Sequence, residues 1–240
     1  MKFGSLFAGI GGFDLGLERA GMECAWQVEI DEFCQKVLTK HWPDVPKYRD
    51  IREVGDNLEP VDLICGGWPC QPFSQAGKKK GRDDERYLWP EMLRIIRELR
   101  PTWVFGENVE NYTRMELDQS SCDLESIGYS VQSFVISSYC VGTPFDGKRT
   151  YVLATTDDKR PVMRRVRELQ TIAETQRCGD YHRGGAQPSI QGGRWEIKSR
   201  PYGVADGVPN RVDRLRSLGN AVVPQVAEVI GRAIMEIESR

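Results

Sequence analysis

The residues that most narrow the choice of fold lie at the start of the chain. Lys2 to Phe7 reads as a strand, Ala8-Gly9-Ile10-Gly11-Gly12 turns it, and Phe13, Leu17 and Ala20 then recur on one face of a helix. A second apolar strand, Cys24 to Val28, follows and ends at Glu29. Strand, glycine turn, helix and strand make the unit from which parallel sheets are wound, because parallel neighbours need a long crossover. Glycines in such a turn let a ligand approach the backbone and aim helix N-terminal amides at negative charge. An acid about twenty residues further on stands where nucleotide-binding folds grip a ribose. Taken alone, the turn fits a plain connector equally well, and Glu29 fits an exposed acid near the cap of the helix that begins at Asp31.

The same alternation continues. The helix from Asp31 shows Phe33, Val37 and Leu38 as its core face and stops before Pro43; a short third strand precedes Asp50-Ile51. Val61 to Cys65 has strand length and apolar content. Pro90 introduces an amphipathic helix carrying Met92, Ile95, Ile96 and Leu99. Thr102 to Phe105 is another strand and ends in Gly106-Glu107-Asn108-Val109, while Tyr129 to Ile136 and Arg149 to Thr155 read as a pair. The closing helix places Val226, Val229, Ile230, Ala233, Ile234 and Ile237 on one stripe that can dock beside the first helix. The pattern predicts an α/β fold with a doubly wound, mostly parallel sheet and helices on both faces. At 240 residues, 40% of them hydrophobic, the chain is long enough for a full core.

Composition removes several classes. No stretch is apolar enough to span a membrane, and the start lacks a basic segment followed by an apolar one, so a cytoplasmic protein is expected. The seven cysteines include no C-x-x-C pair, and His41 and His182 lie far apart, which argues against a metal site or a disulfide framework. The net charge of −2 conceals an asymmetry: residues 1–156 carry −6 and residues 157–240 carry +4. A polyanion would be drawn to the C-terminal third, although a merely solvated basic surface has the same composition.

Cys70 stands apart from the other cysteines. Cys24, Cys34, Cys65, Cys122 and Cys140 lie within or beside apolar segments and read as small buried hydrophobes. Cys70 follows Gly66-Gly67-Trp68-Pro69, at the predicted C-terminal end of a strand, where open α/β sheets place their chemistry. A cysteine acts as a nucleophile only as its thiolate.

Pro69-Cys70-Gln71-Pro72-Phe73-Ser74 resembles the catalytic loop of the cytosine carbon-5 DNA methyltransferases, in their short phage or bacterial form. The family's other blocks occur in the expected order from Leu6 to the last helix, except between Asp157 and Ser199. The resemblance implies a Rossmann-like, S-adenosylmethionine-dependent enzyme. It implies catalytic roles for Cys70, Glu107 and Arg149. Cofactor contacts are implied for Phe7, Gly9, Gly11, Gly12, Glu29, Ile30, Asp50, Ile51, Pro69, Leu88, Asn220 and Val222. DNA contacts are implied for Ser74, Lys78, Lys79, Lys80 and Arg82, within a charged run expected to act as a lid. Where the family shows a Gln and two Arg in alternation, this chain has Phe145, Gly147 and Arg149.

The expected organisation is a catalytic and cofactor-binding domain over residues 1–156, a short, loop-rich target-recognition segment over 157–200, and a return to the catalytic domain over 201–240. The expected substrate is double-stranded DNA, methylated at carbon 5 of a flipped-out cytosine through a covalent cysteine adduct. The reading further expects no metal, no membrane association and a monomer, with a separately acting restriction endonuclease as a candidate companion. Three rivals stay open: a nicotinamide-dependent oxidoreductase, a transfer-RNA methyltransferase on the same catalytic domain, and a DNA-binding relative with impaired catalysis.

Overall fold

The computed structural model describes residues 1–69, 87–110, 112, 116–141, 147–156 and 210–239. Among these, one sheet contains β1 (Lys2–Leu6), β2 (Glu23–Val28), β3 (Lys47–Tyr48), β4 (Leu63–Gly66), β5 (Trp103–Val109), β6 (Ser130–Ser137) and β7 (Lys148–Thr155). Their order is β3-β2-β1-β4-β5-β7-β6. Pairing is parallel from β3 to β5 and antiparallel where β7 inserts between β5 and β6. The helices are α1 (Gly12–Arg19), α2 (Glu32–His41), α3 (Trp89–Leu99), α4 (Leu117–Ser126), α5 (Arg211–Asn220) and α6 (Pro224–Glu238). None of the described helices is long and apolar enough to cross a membrane.

The two-residue period of the strands divides the core into two layers. Leu63, Cys65, Trp103 and Phe105 point to one face, where Phe13 and Leu17 of α1 meet Val226, Ile230 and Ile234 of α6. Ile64 and Val104 point to the other, against Met92, Ile95 and Ile96 of α3 and Leu124 of α4. This is the doubly wound arrangement that the alternation predicts. Close contact between α1 and α6 depends on glycine: a Cβ at Gly16 would lie 2.4 Å from the Pro224 carbonyl oxygen, and one at Gly231 would lie 2.8 Å from the Ala20 Cβ.

Several expectations are corrected. In α2 the buried residues are Cys34 and Leu38, whereas Phe33 and Val37 are only partly buried, because Phe33 borders a cavity rather than the core. Val229 of α6 is exposed and Ala227 takes the contact beside it. Cys122, on the solvent side of α4, is exposed rather than buried. β5 runs four residues past Phe105, because β7 continues to pair with it after β4 has ended. Glu107 therefore lies on a strand rather than in the turn beyond one.

Candidate active site

The parallel register aligns Val28, Leu6, Gly66 and Gly106 across β2, β1, β4 and β5. The next residues, Glu29, Phe7, Gly67 and Glu107, therefore emerge at one level of the sheet's carboxyl edge. Between β1 and β4 the winding direction reverses, the point at which open α/β sheets leave a crevice. A cavity of about 830 Å³ opens there. Phe7, Gly9, Glu29, Ile30, Asp50 and Ile51 are among the residues that line it, as are Pro69, Leu88, Glu107, Arg149, Asn220 and Val222. Residues far apart in sequence are thus gathered at one site.

The turn after β1 is strained. Phe7 has φ +53°, in the left-handed region that costs a non-glycine residue ~1 kcal/mol or more, and Gly9 and Gly11 also have positive φ. Nothing lies within 4 Å of a Cβ built at Gly9, so the backbone there is open to the cavity. Gly11 and Gly12, expected at the cofactor, are not among the lining residues. A side chain at Gly11 would strike Trp42, and one at Gly12 would strike the Val222 carbonyl, so these two glycines serve packing.

Glu29 is nearly buried, and its carboxylate accepts from the Gly9 N–H (2.7 Å) and the Asp31 N–H (2.8 Å). These bonds fix the side chain across the turn while burial raises its carboxyl above the ordinary value. A carboxylate has about four acceptor sites, so capacity remains for a hydroxyl donor. Asp50 caps a short 3-10 turn, Ile51–Glu53, and is clamped by the Arg52 side chain. Open backbone at Gly9, a fixed acceptor at Glu29 and apolar walls at Phe7 and Ile51 form a lining that fits a nucleoside.

At the other end of the cavity Glu107 is 6% exposed, and its Oε1 is 3.0 Å from Arg149 Nε. Burial raises its carboxyl, Arg149 offsets only part of that, and the value stands at about 7. Such a group carries and releases a proton near neutrality, as a general acid must. Arg149 also donates to the Gly219 carbonyl at 3.3 Å, which links Glu107 to the end of α5. Gly67 keeps this corner open: a Cβ there would lie 3.0 Å from Glu107 Oε2.

Cys70, Ser74, Lys78, Lys79, Lys80 and Arg82 lie outside the described residues, as does the stretch 157–200. The approach to Cys70 is anchored nonetheless. Trp68 packs between Trp89 and Tyr112, with ring centroids 4.8 and 5.3 Å away, and its carbonyl accepts from Asn108 Nδ2 at 3.1 Å. Sequence reasoning gave Asn108 no role. It also passed over Asp14, which is fully buried and accepts from Ser5 Oγ (3.0 Å) and Gln27 Nε2 (2.8 Å), tying β1 and β2 to the first turn of α1. Nothing in the spacing marked this acid. Among the described residues, no group of three or more His, Cys, Asp or Glu side chains is arranged to hold a metal ion.

Comparison with known proteins agrees with this geometry. Residues 1–199 match the model of the C-5 cytosine-specific DNA methylase family. Over 164 residues the chain is 35% identical to the Type II methyltransferase M.HhaI of Haemophilus parahaemolyticus, covering 66% of this chain and 50% of that protein. The Type II methyltransferase M2.BsuMI of Bacillus subtilis is also 35% identical over 164 residues, covering 65% and 42%. The chain thus spans half or less of the length of these curated relatives. Among solved structures, the S. pombe Dnmt2 methyltransferase superimposes with a TM-score of 0.56 at 19% identity, covering 68% of this chain and 55% of the other. Spodoptera frugiperda DNMT2 does so with 0.55 at 24%, covering 66% and 50%. At these identities the superpositions show the shared fold.

Proposed function

The chain belongs to the C-5 cytosine-specific DNA methylase family, and from that premise we propose that it methylates carbon 5 of cytosine in duplex DNA, with S-adenosylmethionine as methyl donor. One observation carries the reading: buried Glu107 with its half-buried partner Arg149, and the Glu29-braced glycine turn, open into a single cavity at the switch point of the sheet. Phe7, Gly9, Glu29, Asp50 and Ile51 hold the cofactor, with Glu29 accepting from ribose hydroxyls and Asp50 from the base. When bound, S-adenosylmethionine supplies an electrophilic methyl group.

Cytosine carbon 5 is a weak nucleophile, so the ring must be activated by covalent addition. The Cys70 thiolate adds to carbon 6. Glu107 donates its proton to the ring nitrogen that gains electron density, and the Arg149 guanidinium supports the carbonyl oxygen. Carbon 5 is thereby made electron-rich enough to be methylated. Water takes its proton as Cys70 departs as the thiolate, and the ring nitrogen returns its proton to Glu107, which restores the ring. The base reaches this pocket only when swung out of the duplex, which costs about a few kcal/mol of stacking. Lys78, Lys79, Lys80 and Arg82 and the basic stretch 157–200 offset that cost through phosphate contacts, and the same stretch serves as the target reader. The protein acts as a cytoplasmic monomer, with a restriction endonuclease as its separate counterpart.

The test is transfer of labelled methyl groups to unmethylated duplex DNA or to RNA. The expected result is label in DNA that is absent with Cys70→Ala. Label confined to RNA favours the RNA-modifying rival, and label in neither, from protein that binds the cofactor, favours the impaired relative.

A further inference from the structure

Arg52 was given no role by the sequence, yet it reaches into the cavity wall and engages Asp50 through both backbone and side chain. Asp50 Oδ1 accepts from the Arg52 backbone N–H and from Nε, each at 3.0 Å; Oδ2 accepts from Nη2 at 2.8 Å and from Nε at 3.2 Å. The backbone bond caps the 3-10 turn and would survive replacement of Arg52 by any residue except proline. The side-chain fork reaches in from the surface: Arg52 is largely exposed, whereas Asp50 is only 23% exposed. Both residues line the cavity.

We propose that Arg52 is a positioning residue that fixes Asp50 as a committed acceptor, so that the cavity selects a purine with an amino group at carbon 6 over one with an oxo group there. The inference rests on reading the cavity as the S-adenosylmethionine site. A bidentate fork sets the plane of a carboxylate as well as its charge. Three N–H groups make these four contacts, with Nε–H shared by both oxygens, so about one acceptor site is left for an incoming N–H. An ionised, oriented carboxylate rewards an amino group and repels a carbonyl oxygen; a protonated or freely rotating one distinguishes them poorly. Arg52 also holds the Asp50 carboxyl below the usual range, which extends this commitment to lower pH.

The experiment is calorimetric titration of the full chain with S-adenosylhomocysteine and with its 6-oxo counterpart, S-inosylhomocysteine. Wild type, Arg52→Ala, Arg52→Lys and Asp50→Ala are compared at pH 7.5, with thermal melts verifying folding. Wild type is expected to prefer the amino ligand by about tenfold or more, the scale of one charge-assisted hydrogen bond. Arg52→Ala should lose most of that preference through weaker binding of the amino ligand alone. Arg52→Lys should lose it likewise, since an ammonium retains the charge without the fork. An unchanged ratio in Arg52→Ala, with the preference abolished in Asp50→Ala, overturns the inference and leaves the cofactor reading standing. A preference unchanged in Asp50→Ala, or no binding of either ligand, overturns that reading too.

Discussion

Removing the titrating proton of Glu107 tests whether its burial has the energetic consequence that catalysis requires. Its carboxyl stands at about 7 rather than 4.5, a displacement corresponding to roughly 3 kcal/mol. Below pH 4.5 both folded and unfolded chains hold the proton. Between 4.5 and 7 the folded protein keeps a proton that the unfolded chain has released, so stability falls as pH rises, by at most ~1.4 kcal/mol per pH unit. Above 7 both forms are ionised and the whole penalty is present. Glu107→Gln keeps the volume and an oxygen acceptor for Arg149 but removes the titration. Urea unfolding from pH 4.5 to pH 8 should therefore show the variant gaining on the wild type by roughly 3 kcal/mol across the range, while methyl transfer is lost. A stability difference that is flat with pH, within ~0.5 kcal/mol, would refute the argument that burial poises this acid.

Three further outcomes follow from the same geometry. Arg149→Ala removes the cation that holds Glu107 down, so the basic limb of the pH–rate profile should move upward while kcat falls by about 100-fold or more; an unmoved limb would break the proposed coupling. Glu29→Ala removes the acid that braces Gly9 and Asp31, and calorimetry should show cofactor affinity reduced by about tenfold or more; unchanged affinity would contradict its ribose role. Gly16→Ala forces a methyl group against the Pro224 carbonyl and should cost about 1–3 kcal/mol in urea unfolding; a change below ~0.5 kcal/mol would mean that α1 and α6 can separate freely.

Much of the fold was legible because burial follows period. β1 and β2 bury the apolar residues that their spacing marks, and α3 does so for Met92, Ile95 and Ile96, with Leu99 only partly covered at its end. α4 and α5 went unread because they lack a core stripe: α4 buries only Ser120 and Leu124, and Val212 and Leu218 of α5 are exposed. The length of β5 depends on a partner strand about forty residues downstream, which no local pattern encodes. Within the site, Glu29, Asp50, Glu107 and Arg149 were all found by motif and all line the cavity. Gly11 and Gly12 do not, because a glycine required by packing looks in sequence like one required by a ligand. Arg52, Asn108 and Asp14 were missed because their roles arise only from the partners that tertiary structure brings to them.

The central claim is that this chain marks cytosine in DNA through Cys70. Base-resolution bisulfite sequencing of DNA from a host without cytosine methylation, expressing the wild type or Cys70→Ala, addresses it directly. Protected cytosines are expected in one sequence context with the wild type and none with the variant. Full conversion in both, from folded protein that binds S-adenosylmethionine, would contradict it.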